Sequence, residues 1–227
     1  MSVEIQIALT AGLAGLLAAL GPRAVAALPE PAEPADDKPP YRDVAAVRHA
    51  RWWMVVPATL LAGLVAWRVQ VPELIAVWVL LCGVGGWLAF VDWHTRYLPF
   101  RLTAPLYLAV WLAVGVAALL LRDADVLIRA AIANVIVYAL FYALYLIANR
   151  FFRGGLGFGD VRLAAIIAVA LAPLGGTAVG IGLYAGFAIG AVFGLILQRL
   201  GVIDGESFAF GPYLLLGAAV GAVWTGM

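Results

Sequence analysis

The chain has 227 residues, of which 65% are hydrophobic and 12% charged, and a mean hydropathy of +1.03. These values lie far outside the range of a soluble globular domain and inside that of a polytopic membrane protein. At about 20 residues per spanning helix the length admits roughly eight spans with short connections, and a formal charge of +1 gives no sign of nucleic-acid binding.

Hydropathy and breaker residues predict an all-α integral membrane protein. Eight helices are expected near residues 3–20, 52–69, 74–91, 103–121, 127–148, 161–174, 177–197 and 208–224, together one polytopic domain over 1–227. The apolar run 5–20 follows Glu4 where a secretory signal carries basic residues, so it reads as a retained first span. Residues 21–51 form the one sizeable polar segment. Its stretch 28–40 holds Pro29, Pro31, Pro34, Pro39 and Pro40 among Glu30, Glu33, Asp36 and Asp37, which predicts an extended, solvated loop. In the third span the lone Cys82 reads as a small buried hydrophobe, and a single cysteine excludes an intramolecular disulfide and CxxC zinc sites.

Basic residues set the expected orientation. With the N-terminus outside, Arg68, Arg122 and Arg129 fall outside and the other eleven Lys and Arg inside. Both the loop after the third span, with Asp92, and the loop before the sixth, with Asp160, then lie at the cytoplasmic membrane edge. The sixth span reads as short, because Pro173 and Gly175-Gly176 interrupt it about 13 residues after Asp160, a rise of only about 20 Å. The preceding glycine loop is therefore expected to dip into the bilayer where protein surrounds it. In the seventh span Gly182, Gly186, Gly190 and Gly194 recur every four residues, a face for close helix packing.

Asp92 sits in Phe90-Val91-Asp92-Trp93-His94, and Asp160 ends Gly154-Gly155-Leu156-Gly157-Phe158-Gly159-Asp160. An acid at the edge of an apolar run is costly in a membrane and reads as functional. The remaining polar inventory narrows the chemistry. Ser2 and Ser207 have no convincing histidine partner in the membrane, and His49 and His94 form no HExxH, which argues against serine and zinc hydrolysis. Two carboxylates sharing a wet cavity hold one proton between them, so one can take a proton from water while the other polarises a peptide carbonyl. No metal or cofactor is needed. Helix dipoles favour Asp160, at a helix start, as the base, and Asp92, at a helix end, as the protonated partner. Plainer readings are open for each residue alone: Asp160 as a helix cap, and Asp92 as an interfacial charge paired with Arg96 or Arg101.

Gly157-Phe158-Gly159-Asp160 resembles the GxGD motif of intramembrane aspartyl proteases, in the form used by bacterial prepilin peptidases, the type IV leader peptidases. Asp92 with Pro99 and then Arg101-Leu102-Thr103, and the later Phe210-Gly211-Pro212-Tyr213-Leu214, resemble two further segments of that family. The likeness covers about residues 82–224. Presenilin-type proteases share GxGD but carry Tyr-Asp and PAL segments, where this chain has Val91-Asp92 and Phe210-Gly211-Pro212.

The resemblance implies Asp92 and Asp160 as the catalytic pair, Gly157 and Gly159 as the supporting loop, and Pro99, Gly211 and Pro212 as residues shaping the site or its substrate. The implied partners are prepilin or pilin-like precursors whose basic leader is cut at the cytoplasmic face of a bacterial inner membrane. Family members that also methylate carry a larger N-terminal domain, often with two CxxC pairs, in place of 21–51. A short peptidase-only form is therefore implied here. Phe100 replaces a residue that is commonly polar after the proline. The alternatives to a peptidase are a transporter or channel component using Asp92 and Asp160 as an ion site, and a non-catalytic scaffold for pilus assembly.

Overall fold

The structure, a computed structural model, describes residues 1–30, 38–151, 156–201 and 208–225. Pro31, Glu33, Pro34, Asp36 and Asp37 of the acidic segment, Gly154 and Gly155 of the glycine loop, and Ser207 lie outside these residues. The described residues form helices and no strand: α1 (Val3–Ala18), α2 (Gly21–Ala26), α3 (Tyr41–Ala45), α4 (Ala50–Arg68), α5 (Ile75–Thr95), α6 (Phe100–Leu121), α7 (Asp125–Phe151), α8 (Phe158–Leu171), α9 (Gly176–Arg199) and α10 (Gly211–Thr225). Short 3-10 turns occupy Pro72–Leu74 and Ala172–Leu174.

Each of the eight expected segments is helical. Six stretches, Val3–Ala26, Ala50–Arg68, Pro72–Thr95, Phe100–Leu121, Asp125–Phe151 and Gly176–Arg199, are long and apolar enough to cross a bilayer, while α8 and α10 have only 14 and 15 residues. The first apolar stretch runs on to Ala26, beyond the expected end at residue 20. Pro22 sits in the first turn of α2, where its missing N–H breaks no helical bond, so it starts a turn instead of stopping one. At the other end α10 begins at Gly211, not at 208, because Phe208 and Phe210 leave the helix to fill the hollows that Gly194 and Gly190 make in α9.

The bundle has an apolar outside. Helix α7 buries only Val126, Ala130, Val137 and Phe141 of its 27 residues, and Val135, Leu108, Leu112 and Leu119 are each two-thirds or more exposed. Such an outer shell has lipid as its solvent. The inverse holds for α8, which buries eleven of its fourteen residues, including every one from Leu163 to Leu171. A helix of about 21 Å cannot span a hydrocarbon core of about 30 Å. Enclosure by α5, α6, α7, α9 and α10 keeps its ends away from lipid, the condition under which a broken helix is tolerated at membrane depth.

The polar segment 21–51 is helical on either side of the proline-rich stretch 28–40, most of which lies outside the described residues. Helices α2 and α3 pack together, Tyr41 and Val44 are buried in a small cluster with Val25, Phe90 and Val91, and the Tyr41 N–H donates to Glu30 Oε1 at 2.8 Å. Apolar residues hidden among the charges anchor the segment to the end of α5. Burial, with smaller contributions from Tyr97 and Glu30, pushes the Tyr41 phenol up.

Helices α9 and α10 pack with their backbones in close approach. Lipid offers little hydrophobic drive between helices, so close van der Waals packing must hold them. A β-carbon on Gly217 would collide with the Gly182 carbonyl and the Gly186 backbone, and one on Gly186 would lie 3.1 Å from Leu214 Cα. Gly115, by contrast, faces open space. Gly217→Ala is expected to destabilise the protein by about 1–3 kcal/mol, the cost of overpacking. Gly115→Ala should leave the thermal midpoint in detergent unchanged or raise it slightly, helix propensity favouring alanine by about 1 kcal/mol.

Candidate active site

The site lies where α5 ends, α8 begins and α10 begins. Arg96 takes a left-handed φ of 53° and its N–H donates to the Asp92 carbonyl at 2.7 Å, so α5 stops one turn after Asp92. The chain turns through Tyr97 and the buried Leu98 to Pro99, which caps α6 with φ −66°. The Thr103 hydroxyl donates back to the Pro99 carbonyl at 3.3 Å. Pro99 thus fixes the start of α6.

Gly159 explains why that loop can reach α8. A β-carbon there would come within 2.6 Å of Leu98 Cβ, so only hydrogen leaves room for the loop. One residue on, Asp160 is the third residue of α8, and its Oδ2 accepts from the Gly157 N–H at 3.0 Å. The carboxylate therefore does cap its own helix, as half of a capping box. A β-carbon on Gly157 would lie 3.3 Å from the same oxygen.

Asp92 is held from a third element. Its Oδ2 accepts from the Gly211 N–H at 2.8 Å, and Gly211 opens α10. The first N–H groups of a helix have no partner within it, and Pro212 has none to offer, so Gly211 presents the free donor. A β-carbon at Gly211 would stand 2.9 Å from Asp92 Oδ2 and 3.5 Å from Leu163 Cδ2. Leu163 lies one helical turn after Asp160 on α8. The two carboxyls are 3% and 7% exposed and within electrostatic reach of each other.

This arrangement changes one sequence-based premise. Asp92 does end α5, but it also faces the N-terminus of α10, whose dipole favours negative charge as that of α8 does at Asp160. Helix dipoles therefore no longer separate the roles of the two acids.

Several residues around the site were not singled out from the sequence. Asn134 on α7 accepts from the Tyr107 hydroxyl of α6 at 2.8 Å and donates to the Ala165 carbonyl of α8 at 3.2 Å, tying three helices together two residues beyond Leu163. A lone amide within the apolar run 132–148 was the available signal. Phe100, noted as a departure after Pro99, has its ring centre 4.7 Å from the Arg162 guanidinium, and the Phe158 ring centre lies 4.5 Å from the same group. The two rings hold this cation beside the start of α8. His94 is half-buried against Phe90, its Nδ1 2.8 Å from the Phe90 carbonyl. Among the described residues no three His, Cys, Asp or Glu gather as metal ligands do.

Comparison with known proteins gives one match. A model of the type IV leader peptidase family matches residues 74–197, more than half of the chain. The match takes in Asp92, Pro99, Gly157, Gly159 and Asp160 and stops short of Gly211 and Pro212. No curated protein and no solved structure matches. With its apolar helices, its two buried acids at the junction of three helix ends and this match, the chain belongs to the type IV leader peptidase family, and it is a membrane peptidase.

Proposed function

We propose that the protein is an aspartic endopeptidase that removes the basic leader from prepilin or pilin-like precursors, with Asp92 and Asp160 activating water between them. The observation that carries this reading is the convergence of two buried carboxyls, each gripped through Oδ2 by a backbone N–H at a helix start. Donors of this kind stabilise charge without adding a cation that would neutralise the pair.

In the proposed reaction the ionised carboxylate takes a proton from water as the oxygen attacks the scissile carbonyl carbon. The protonated carboxyl donates to the carbonyl oxygen, giving a neutral gem-diol. That intermediate collapses as one of its hydroxyls returns a proton to the ionised carboxylate, the C–N bond breaks and the leaving amine takes the proton of the other carboxyl. The carboxyls end with one proton between them, as they began, and no cofactor takes part. Gly157, Gly159 and Gly211 serve as positioning residues, and Pro99 and Pro212 set the backbone that carries them.

The distribution of basic residues supports an orientation with the N-terminus outside, the acids at the cytoplasmic edge and residence in the inner membrane of a bacterium. A leader kept in the cytoplasm by its positive charge would then meet the acids on its own side.

The reading is tested by reconstituting the protein in vesicles with a prepilin precursor. Wild type should release the leader, and Asp92→Asn and Asp160→Asn should each lower the rate by a factor on the order of 10²–10⁴ while inserting and unfolding normally. Full cleavage by either variant, or ion flux without cleavage by the wild type, would contradict it. Gly211→Ala should displace the Asp92 carboxyl and lower kcat by about tenfold or more, equivalent to roughly 1.4 kcal/mol of transition-state stabilisation, with KM changing little.

A further inference from the structure

The seam along α5 between α4 and α10 is incompletely filled among the described residues. Trp78, Cys82, Gly85, Gly86, Ala89 and Trp93 follow one another along it at helical spacing. Two cavities of about 290 and 510 Å³ lie over this stripe. They share Pro57 of α4, Gly86 and Ala89 of α5, and Pro212 of α10 as walls, so they form one groove. From Trp78 to His94 it runs 16 residues, about 24 Å at helical rise.

The groove ends beside the candidate site, with Phe90, Trp93 and His94 around Asp92 on α5 among its lining residues. Pro212 adjoins Gly211, whose N–H holds Asp92, and Gly85, Ala89 and Asp92 climb the α5 surface at steps of four and three residues. Gly85 and Gly86 let the walls of the groove close in on α5: a β-carbon on Gly85 would lie 3.0 Å from Leu215 Cδ2 of α10, and one on Gly86 3.1 Å from the Met54 carbonyl of α4. A second groove, about 330 Å³ between α6, α7 and α8, lies on the Asp160 side and is lined by Arg162. The α4–α5–α10 groove has no Lys or Arg in its lining.

We infer that the α4–α5–α10 groove docks the apolar membrane helix of the precursor, with the scissile bond at its Asp92 end and the helix running along α5 toward Trp78. The inference rests on the proposed function. A peptide bond that reaches carboxyls buried inside a membrane bundle must arrive on a segment that itself lies in the bilayer. A helix of 16 or so apolar residues fills the length of the groove. A precursor whose leader is basic meets no opposing cation there, whereas the α6–α7–α8 groove would set Arg162 against it.

Cys82, the one cysteine of the chain, lies in the groove and supplies the test. Single cysteines are placed in turn along the apolar helix of a cysteine-free precursor, and oxidative crosslinking is run in vesicles with the Asp92→Asn protein, which keeps the precursor intact. The comparison protein carries Cys82→Ala and Leu108→Cys with Asp92→Asn, moving the probe to the other groove. Adducts to Cys82 should recur every three or four residues of the precursor and exceed those to the Leu108→Cys probe by about tenfold, a preference of roughly 1.4 kcal/mol. Adducts at the Leu108→Cys probe alone, or at Cys82 without helical periodicity, would overturn the assignment, as would the absence of adducts at both. Cleavage of the same precursors by the wild-type protein is measured in parallel. Cleavage with a failed crosslinking pattern removes the groove and leaves the peptidase standing, whereas no cleavage removes both.

Discussion

Two carboxyls buried in a helical membrane bundle need hydrogen-bond donors that bring no positive charge with them, and here those donors are the first N–H groups of helices. Gly157 supplies one to Asp160 and Gly211 supplies one to Asp92. An isolated carboxylate in such surroundings would be prohibitively costly. An arginine partner would stabilise it but would also hold it permanently ionised. Helix starts give partial charge, fixed direction and no competing titration.

Much of the architecture follows from the need to bring two helix starts to one point. Helix α8 is short, so its first turn opens inside the bundle, and five neighbours enclose it. Helix α10 is short as well and is pulled against α9 by glycines on both helices, which aims Gly211 at Asp92. The loop after α5 is pinned down by Leu98, which fits only because residue 159 lacks a side chain. The glycines at 159, 211 and 217 thus do one job at three interfaces: they let backbone or carboxylate come closer than a β-carbon allows.

The helical plan was legible in the sequence because apolar runs broken by proline and glycine are a direct record of a bilayer, and each of the eight expected runs is a helix. The short sixth helix was legible too, since Pro173 lies about 13 residues after Asp160 in the sequence. The ends were harder. Gly21-Pro22 looked like a break yet starts a helical turn, and Phe208 and Phe210 looked like helix yet serve as packing wedges, because tertiary hollows outweigh local preference. The buried Tyr41 and Val44 were masked by the prolines and acids around them. At the site, the two acids stood out by their cost. The donor to Asp92 did not, because the 119 residues that separate it from Gly211 carry no pattern for that bond. Asn134 was visible as a lone amide but had no foreseeable partner. The helix-dipole argument failed for the same reason: it counted the helix that Asp92 belongs to and not the one it faces.

The central claim is that Asp92 and Asp160 act as one unit on one water. A double-mutant cycle in vesicles, with Asp92→Asn, Asp160→Asn and both together, measures it most directly. Groups that act as a unit are strongly non-additive, so the double variant is predicted to cleave no more slowly than the slower single variant. Losses that multiply would mean that the two acids work independently and would contradict the account.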